Sequence, residues 1–270
     1  MHSPDITFIG GGNMASAIIA GLIQSGTPAG RIRVIEPLAA AREAMASRGV
    51  VTLAQFPVES LEGLVVWAVK PQVMREAALA AAPWTRQALH LSVAAGIRSD
   101  SLCAWLGTDR VVRAMPNTPA LVGQGITALL AGPGVSDADR AQVEATLNPT
   151  GEWLWVSQES HLDAVTALSG SGPAYVFYFL EAMRDAGQAL GLDADQAYRL
   201  GVATFRGAAA LAAASSETPQ VLRERVTSKG GTTYAALTSL EASGVKNAFI
   251  EAMQAAALRA HELGEEFGKA

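Results

Sequence analysis

The stretch Ile6-Thr7-Phe8-Ile9-Gly10-Gly11-Gly12-Asn13-Met14-Ala15 runs from four strand-forming residues through three glycines into a helical segment, residues 14–24. Few joints restrict a fold so strongly. It matches G-x-G-x-x-A: the first glycine, Gly10, permits a tight turn, the second, Gly12, lets backbone approach a pyrophosphate, and Ala15 lets the helix lie close on the strand. The helix start at Asn13 and Met14 then offers unbonded N–H groups and the positive end of the helix dipole to phosphates. A chain that begins in this way is expected to continue as a doubly wound α/β sheet. Val, Ile and Leu-rich runs at 31–35, 50–52, 64–69, 89–93 and 110–113, most of them separated by Ala-rich segments of helix length, fit that expectation. Near-continuous apolar strands of this kind belong to a parallel sheet covered on both faces. Further strands are expected at 126–130 and 153–156, with a helix over 136–147 that opens on Ser136-Asp137.

Beyond residue 156 the β-branched runs stop. Helical spacing takes over at 173–190, 194–214, 219–226, 233–242 and 245–267, with Pro173 suited to a first helical turn. The predicted architecture is therefore α/β: an N-terminal Rossmann-like doubly wound sheet over 1–156, then an all-α C-terminal domain over 157–270. A chain of 270 residues is long enough for two such domains.

Composition removes several classes of function. The net charge is −5 and no cluster of Lys or Arg stands out, so nucleic acid is not an expected partner. Cys103 is the single cysteine, which excludes an internal disulfide and a Cys-cluster metal site; no metal is expected. No apolar run approaches the roughly 20 residues of a membrane span, and the start of the chain lacks a signal-type pattern, which points to a cytoplasmic protein. Lysine occurs only at Lys70, Lys229, Lys246 and Lys269.

In doubly wound sheets ligands bind outside the carboxyl ends of the strands. Ala68-Val69-Lys70-Pro71 ends one strand, and Lys70 and Pro71 there would flank a dinucleotide. Ala94-Ala95-Gly96 follows the next, offering small backbone surface beside a nicotinamide. Asn117, in Pro116-Asn117-Thr118-Pro119 after a third, could bond the carboxamide. Glu36 ends the second strand, a little further from Gly10 than the usual ribose-binding acid. A carboxylate there favours NAD because it repels a 2′-phosphate, while Arg42 nearby could soften that repulsion; the sequence leaves NADPH or NADH open. A second glycine turn, Gly230-Gly231-Thr232-Thr233, precedes another helical stretch and repeats the anion-binding logic, here for a substrate carboxylate.

Together with Leu168-Ser169-Gly170-Ser171-Gly172-Pro173-Ala174-Tyr175 and Thr227-Ser228-Lys229-Gly230-Gly231-Thr232-Thr233, these blocks occur in the order and spacing of one family. The chain resembles the pyrroline-5-carboxylate reductases nearly end to end. That resemblance implies NAD(P)H-dependent reduction of 1-pyrroline-5-carboxylate to L-proline, the last step of proline biosynthesis. It places Ser228, Gly231, Thr232 and Thr233 at positions that hold the substrate carboxylate and ring nitrogen, and Gln55 near the adenine. It also implies a homodimer or a ring of dimers joined through the helical domain. Where the family usually has proline, this chain has Lys229, which either loosens the loop or adds a positive charge for an anion.

None of His2, His90, His161 and His261 lies in a motif, so the histidine base of a hydroxy-acid dehydrogenase is not visible, and His90, which begins a strand, reads as structural. No lysine falls between Lys70 and Lys229 to serve the related β-hydroxyacid dehydrogenases. Imine reduction needs such a base less, because a cyclic imine can be protonated by water or a hydroxyl and then accepts hydride; Thr233 is the expected hydroxyl. Glu217 is a further candidate for a water-mediated contact to the substrate nitrogen. The alternatives are a reductase of a related imino or keto acid, and a non-catalytic nicotinamide-nucleotide-binding regulator.

Overall fold

The computed structural model describes residues 5–57 and 59–268; His2 and Lys269, noted above, lie outside the described residues. Eight strands form one sheet in the order β3-β2-β1-β4-β5-β6-β7-β8. They are β1 (Ile6–Ile9), β2 (Ile32–Ile35), β3 (Val51–Leu53), β4 (Leu64–Trp67), β5 (Leu89–Ser92), β6 (Val111–Met115), β7 (Gly125–Ala131) and β8 (Gly151–Trp155). The first six are parallel, with β1 flanked by β2 (Phe8 opposite Val34) and by β4 (Phe8 opposite Val66). The chain winds outward from β1 in one direction and from β4 in the other, so a crevice opens between their carboxyl ends.

Helices cover both faces because both faces are apolar. Phe8, Val34, Val66 and Leu91 pack on one side with Ala15, Ile18 and Ile19 of helix α1 (Asn13–Gln24). Ile9, Ile35, Val65 and Trp67 pack on the other with Met74, Ala78 and Ala81 of α3 (Pro71–Thr85) and Leu102 and Leu106 of α4 (Ser99–Leu106). Helix α2 (Ala39–Ala46) follows β2, and α5 (Asp137–Leu147) lies between β7 and β8. The start of α5 is a reciprocal cap: the Asp139 amide donates to Ser136 Oγ while the Ser136 amide donates to Asp139 Oδ2.

One direction differs from the expectation of a parallel sheet. Strand β7 runs antiparallel to β6, pairing Arg113 with Leu130 and Met115 with Ala128. The reason lies in the connection: residues 116–124 hold only the 3-10 turn Thr118–Val122, too short for the helical crossover that a parallel return requires. Strand β8 then pairs parallel to β7.

Two compact units result, one running through Ser171 and taking in the chain again from Ala256, the other Gly172–Ala255. The first unit extends past residue 156, where the strand pattern stops, because α6 (Glu159–Val165) buries Leu162 against Ala128 and Leu130 of β7. A π-helical turn, Thr166–Gly170, closes this stretch. The second unit holds α7 (Gly172–Ala189), α8 (Ala194–Ala213), α9 (Pro219–Arg225), α10 (Thr232–Ala242) and the first part of α11 (Val245–Gly268). Gly187 of α7 lies so near Ala197 of α8 that a Cβ on the glycine would sit 2.6 Å from the alanine methyl, and these small residues let the two helices close together. No helix among the described residues is long and apolar enough to cross a membrane.

Candidate active site

The glycine turn is shaped by its neighbours. Gly10 takes the left-handed φ of 97°, and a Cβ there would lie 2.6 Å from the Ala68 carbonyl oxygen, so only glycine fits where β1 passes the end of β4. Ala15 is fully buried on the sheet, which seats the start of α1 directly behind the turn. No side chain caps that start, whose N-cap is Gly12. The first ladder bond of α1 is Ser16 N–H to Gly12 O at 2.9 Å, so the amides of Asn13, Met14 and Ala15 precede the ladder. An open cradle, uncapped amides and a helix dipole are the donor set a pyrophosphate needs, and the residues present fit a dinucleotide.

Every expected nucleotide residue lies at the carboxyl end of a strand. Gly10 and Gly12 follow β1, Glu36 follows β2, Gln55 follows β3, Ala68 to Pro71 follow β4, Ala94 to Gly96 follow β5 and Asn117 follows β6. Lys70 is exposed at the N-cap of α3, and Pro71 occupies its first turn, where a missing N–H matters least. Ala95 is exposed, whereas Ala94 is buried and its amide donates to Ser92 Oγ at 3.4 Å. Gly96 lies under the end of α11, where a Cβ would stand 3.3 Å from Leu263 and from Phe267. The same loop is tied down by charge: Ser99 N–H donates to Glu159 Oε1 at 2.8 Å, and Glu159 also pairs with the buried Arg113. Arg98 reaches Asp163 at 3.6 Å and His261 Nδ1 at 2.9 Å.

Asn117 has a structural task that its sequence context did not reveal. Its Oδ1 accepts from the Ile126 amide at 3.0 Å and its Nδ2 donates to Ser169 O at 3.2 Å, pinning the 116–124 link to β7 and to the π-helical turn. One amide hydrogen and one lone pair remain for a ligand. Backbone partners were equally invisible in sequence: Glu36 accepts from the amides of Gly11 and Leu38, both at 2.9 Å.

In the second unit, α9 and α10 are joined by residues 226–231. Gly230 is left-handed with φ 74°, and the Gly231 amide donates to Ser228 O at 3.0 Å. That turn closes with Lys229 exposed at its tip. It also occupies the Gly231 amide, so the free donors at the uncapped start of α10 are Thr232, Thr233 and Tyr234; the ladder begins with Ala235 N–H to Gly231 O at 3.1 Å. Neighbouring hydroxyls close on their own helices, Thr227 on Arg223 O at 2.6 Å and Thr238 on Tyr234 O at 2.8 Å. Ser228, Thr232 and Thr233 make no such bond among the described residues. Glu217 is engaged with Arg225 at 2.5 Å.

His90 lies within the sheet, fully buried. Trp67 Nε1–H donates to its Nδ1 at 3.0 Å, which leaves the proton on Nε2, 3.0 Å from Thr85 O. Burial pulls this imidazole down to about 4, so it is neutral and structural.

Two family models match the chain: pyrroline-5-carboxylate reductase dimerisation over residues 159–263, and NADP oxidoreductase coenzyme F420-dependent over residues 5–96. The pyrroline-5-carboxylate reductase of Pseudomonas aeruginosa is 45% identical, with both chains covered in full. The enzyme of Pisum sativum is 39% identical over 95% of this chain and 94% of its own. Among solved structures, a pyrroline-5-carboxylate reductase from Coxiella burnetii superposes with a TM-score of 0.89 at 37% identity, covering 97% of this chain and 99% of the other. The Plasmodium falciparum pyrroline carboxylate reductase, solved with NADP bound, gives 0.85 at 27% identity over 98% and 99%. With relatives of 39% and 45% identity matched over nearly their whole length, the chain belongs to the pyrroline-5-carboxylate reductase family of NAD(P)H-dependent oxidoreductases.

Proposed function

We propose that this chain reduces the cyclic imine 1-pyrroline-5-carboxylate to L-proline in the cytoplasm, as the closing step of proline biosynthesis, working as a homodimer or a ring of dimers. The supporting observation is the start of α10, where the amides of Thr232 to Tyr234 and the hydroxyls of Ser228, Thr232 and Thr233 are all left unused by the fold. That is a donor set for a small carboxylate with one hydroxyl to spare for a ring nitrogen.

The nicotinamide, when bound, supplies the hydride that reduces the imine carbon. The chain's own residues do the rest. Asn13, Met14 and Ala15 hold the dinucleotide by its phosphates, with Gly10 and Gly12 keeping the cradle open. Gln55 attends the adenine, Ala68 to Pro71 flank the nucleotide, and Ala94 to Gly96 with Asn117 border the nicotinamide. The amides of Thr232 and Thr233 hold the substrate carboxylate, assisted by Ser228, with Gly231 shaping the turn. The Thr233 hydroxyl donates a hydrogen bond to the imine nitrogen and helps bring its proton, so that the carbon is electron-poor when hydride arrives. Orientation and exclusion of water supply the greater part of the rate.

The test follows oxidation of the reduced nicotinamide nucleotide, by its loss of absorbance, with 1-pyrroline-5-carboxylate. Thr233→Ala is expected to lower kcat/KM by roughly 10²-fold, and Thr233→Ser to retain most of it. Full turnover in both variants would remove the proton role from Thr233; no oxidation by the unaltered chain with either nucleotide would overturn the activity.

A further inference from the structure

Two segments border the proposed nicotinamide position, and they come from neighbouring strands. Residues 94–98 lead from β5 into α4, and Asn117 follows β6, whose Arg113 lies opposite Ser92 of β5. Both are irregular chain, yet a displacement of about 1 Å at a reacting centre can cost much of the rate. A single carboxylate on α6 joins them. Glu159 is the first residue of that helix. Its Oε1 accepts from the Ser99 amide at 2.8 Å, where residues 94–98 enter α4, and its Oε2 accepts from Arg113 Nη1 near the end of β6. At Ser99 the hold is through the main chain, since Ser99 Oγ is buried with no hydrogen-bond partner among the described residues.

Helix α6 is a firm base for this tie, because its Leu162 is buried against Ala128 and Leu130 of β7. One turn along the same helix face, Asp163 stands 3.6 Å from Arg98, the last residue of the 94–98 segment. Burial makes the contact at β6 stringent. The Arg113 side chain is 8% exposed; burial draws its guanidinium below its ordinary pKa, and Glu159 opposes that shift. A buried cation is costly without its partner, so Arg113 and Glu159 stay together and keep the Ser99 amide at a fixed spacing from β6.

We infer that Glu159 is a positioning residue for hydride transfer: it fixes residues 94–98 against the end of β6 and so sets the wall that borders the nicotinamide. This rests on the proposed nucleotide site, and part of its test needs no imine. Glu159→Gln keeps the side-chain length but offers one acceptor oxygen in place of two. The glycine turn is untouched, so the reduced nucleotide, NADPH or NADH, whichever the unaltered chain binds tighter, should bind within about threefold of its usual affinity. Its fluorescence when bound, which reports the surroundings of the reduced nicotinamide, should shift toward that of the free nucleotide. With 1-pyrroline-5-carboxylate, kcat should fall about tenfold. Glu159→Gln combined with Arg113→Met separates position from stability, because it removes the buried charge while leaving β6 untied. Its midpoint in urea should recover toward that of the unaltered chain while kcat and the fluorescence stay altered. If Glu159→Gln alone does not fold, the double variant decides on the same readouts. Turnover that recovers in step with the urea midpoint overturns the inference, as does an unchanged fluorescence of the bound nucleotide. An unaltered chain that binds the nucleotide but leaves the imine unreduced sinks only the reaction, and the fluorescence still decides for Glu159; one that binds neither nucleotide overturns the inference together with its site.

Discussion

Burial holds the His90 imidazole neutral, its pKa lowered from 6.5 to about 4, and this gives the chain an acid sensitivity unrelated to catalysis. As the pH falls below 6.5 the unfolded chain takes up a proton that the folded chain refuses, so stability falls until the folded imidazole also protonates near 4. The full effect is roughly 3 kcal/mol. A His90→Gln variant keeps an acceptor for Trp67 and a donor for Thr85 but cannot titrate. Its unfolding free energy, measured in urea from pH 7 to pH 4, should therefore fall less steeply than that of the unaltered chain; parallel profiles would show that His90 does not govern the slope. At this scale the side-chain chemistry was legible and the backbone was not. His90 reads as structural from its place in a strand, yet nothing in its letters reveals that Trp67 is its partner, and the Gly11 amide that steadies Glu36 has no side chain to announce it.

Helix α5 shows how one capping group can carry several bonds. Asp139 accepts from Ser136 and from Arg110, whose Nη2 lies 2.5 Å away, and these bonds, led by Arg110, hold its carboxyl at about 2. A depressed carboxyl stabilises the fold above its unfolded value and loses that contribution as the pH falls through its folded one. Asp139→Asn is expected to lower stability at pH 7 by about 1–2 kcal/mol, a gap that narrows between pH 4 and pH 2 when both chains are followed by circular dichroism. A gap independent of pH would mean that the ion pair contributes nothing. Strands and helices of this kind were legible to within a residue or two, because β-branched runs, Ser136-Asp137 and Pro173 mark elements and their starts. Strand direction was not legible at β7: its residues favour a strand of either sense, and only the length of 116–124 decides. Helix α6 and its π-helical turn carry no comparable start or period, and they fell between the two patterns.

The Gly172–Ala255 unit cannot be a finished surface. Phe177, Tyr178, Leu200 and Leu211 are 59%, 69%, 56% and 70% exposed, while α10 buries no residue at all. Apolar exposure on this scale marks an interface, and the dimerisation model over 159–263 covers the same helices. Light scattering is expected to give a mass of twice the 28.0-kDa chain or a larger even multiple. Phe177→Asp with Leu211→Asp should drive the chain toward monomer and lower Tm, by roughly 2–4 °C for each kcal/mol of interface lost. A monomer in the unaltered chain would refute this. Sequence alone does not separate ordinary helix core from a subunit interface at these positions, since a face buried by another copy and a face buried by its own chain have the same composition. Helix α11 carries a different consequence. It starts among the Gly172–Ala255 helices and ends over Gly96, so the part of it from Ala256 onward belongs to the unit that began at the first strand. A ribosome must therefore make all of 172–255 before that unit has its last piece, and the nascent nucleotide-binding sheet waits with Gly96 uncovered until those final turns leave the exit tunnel.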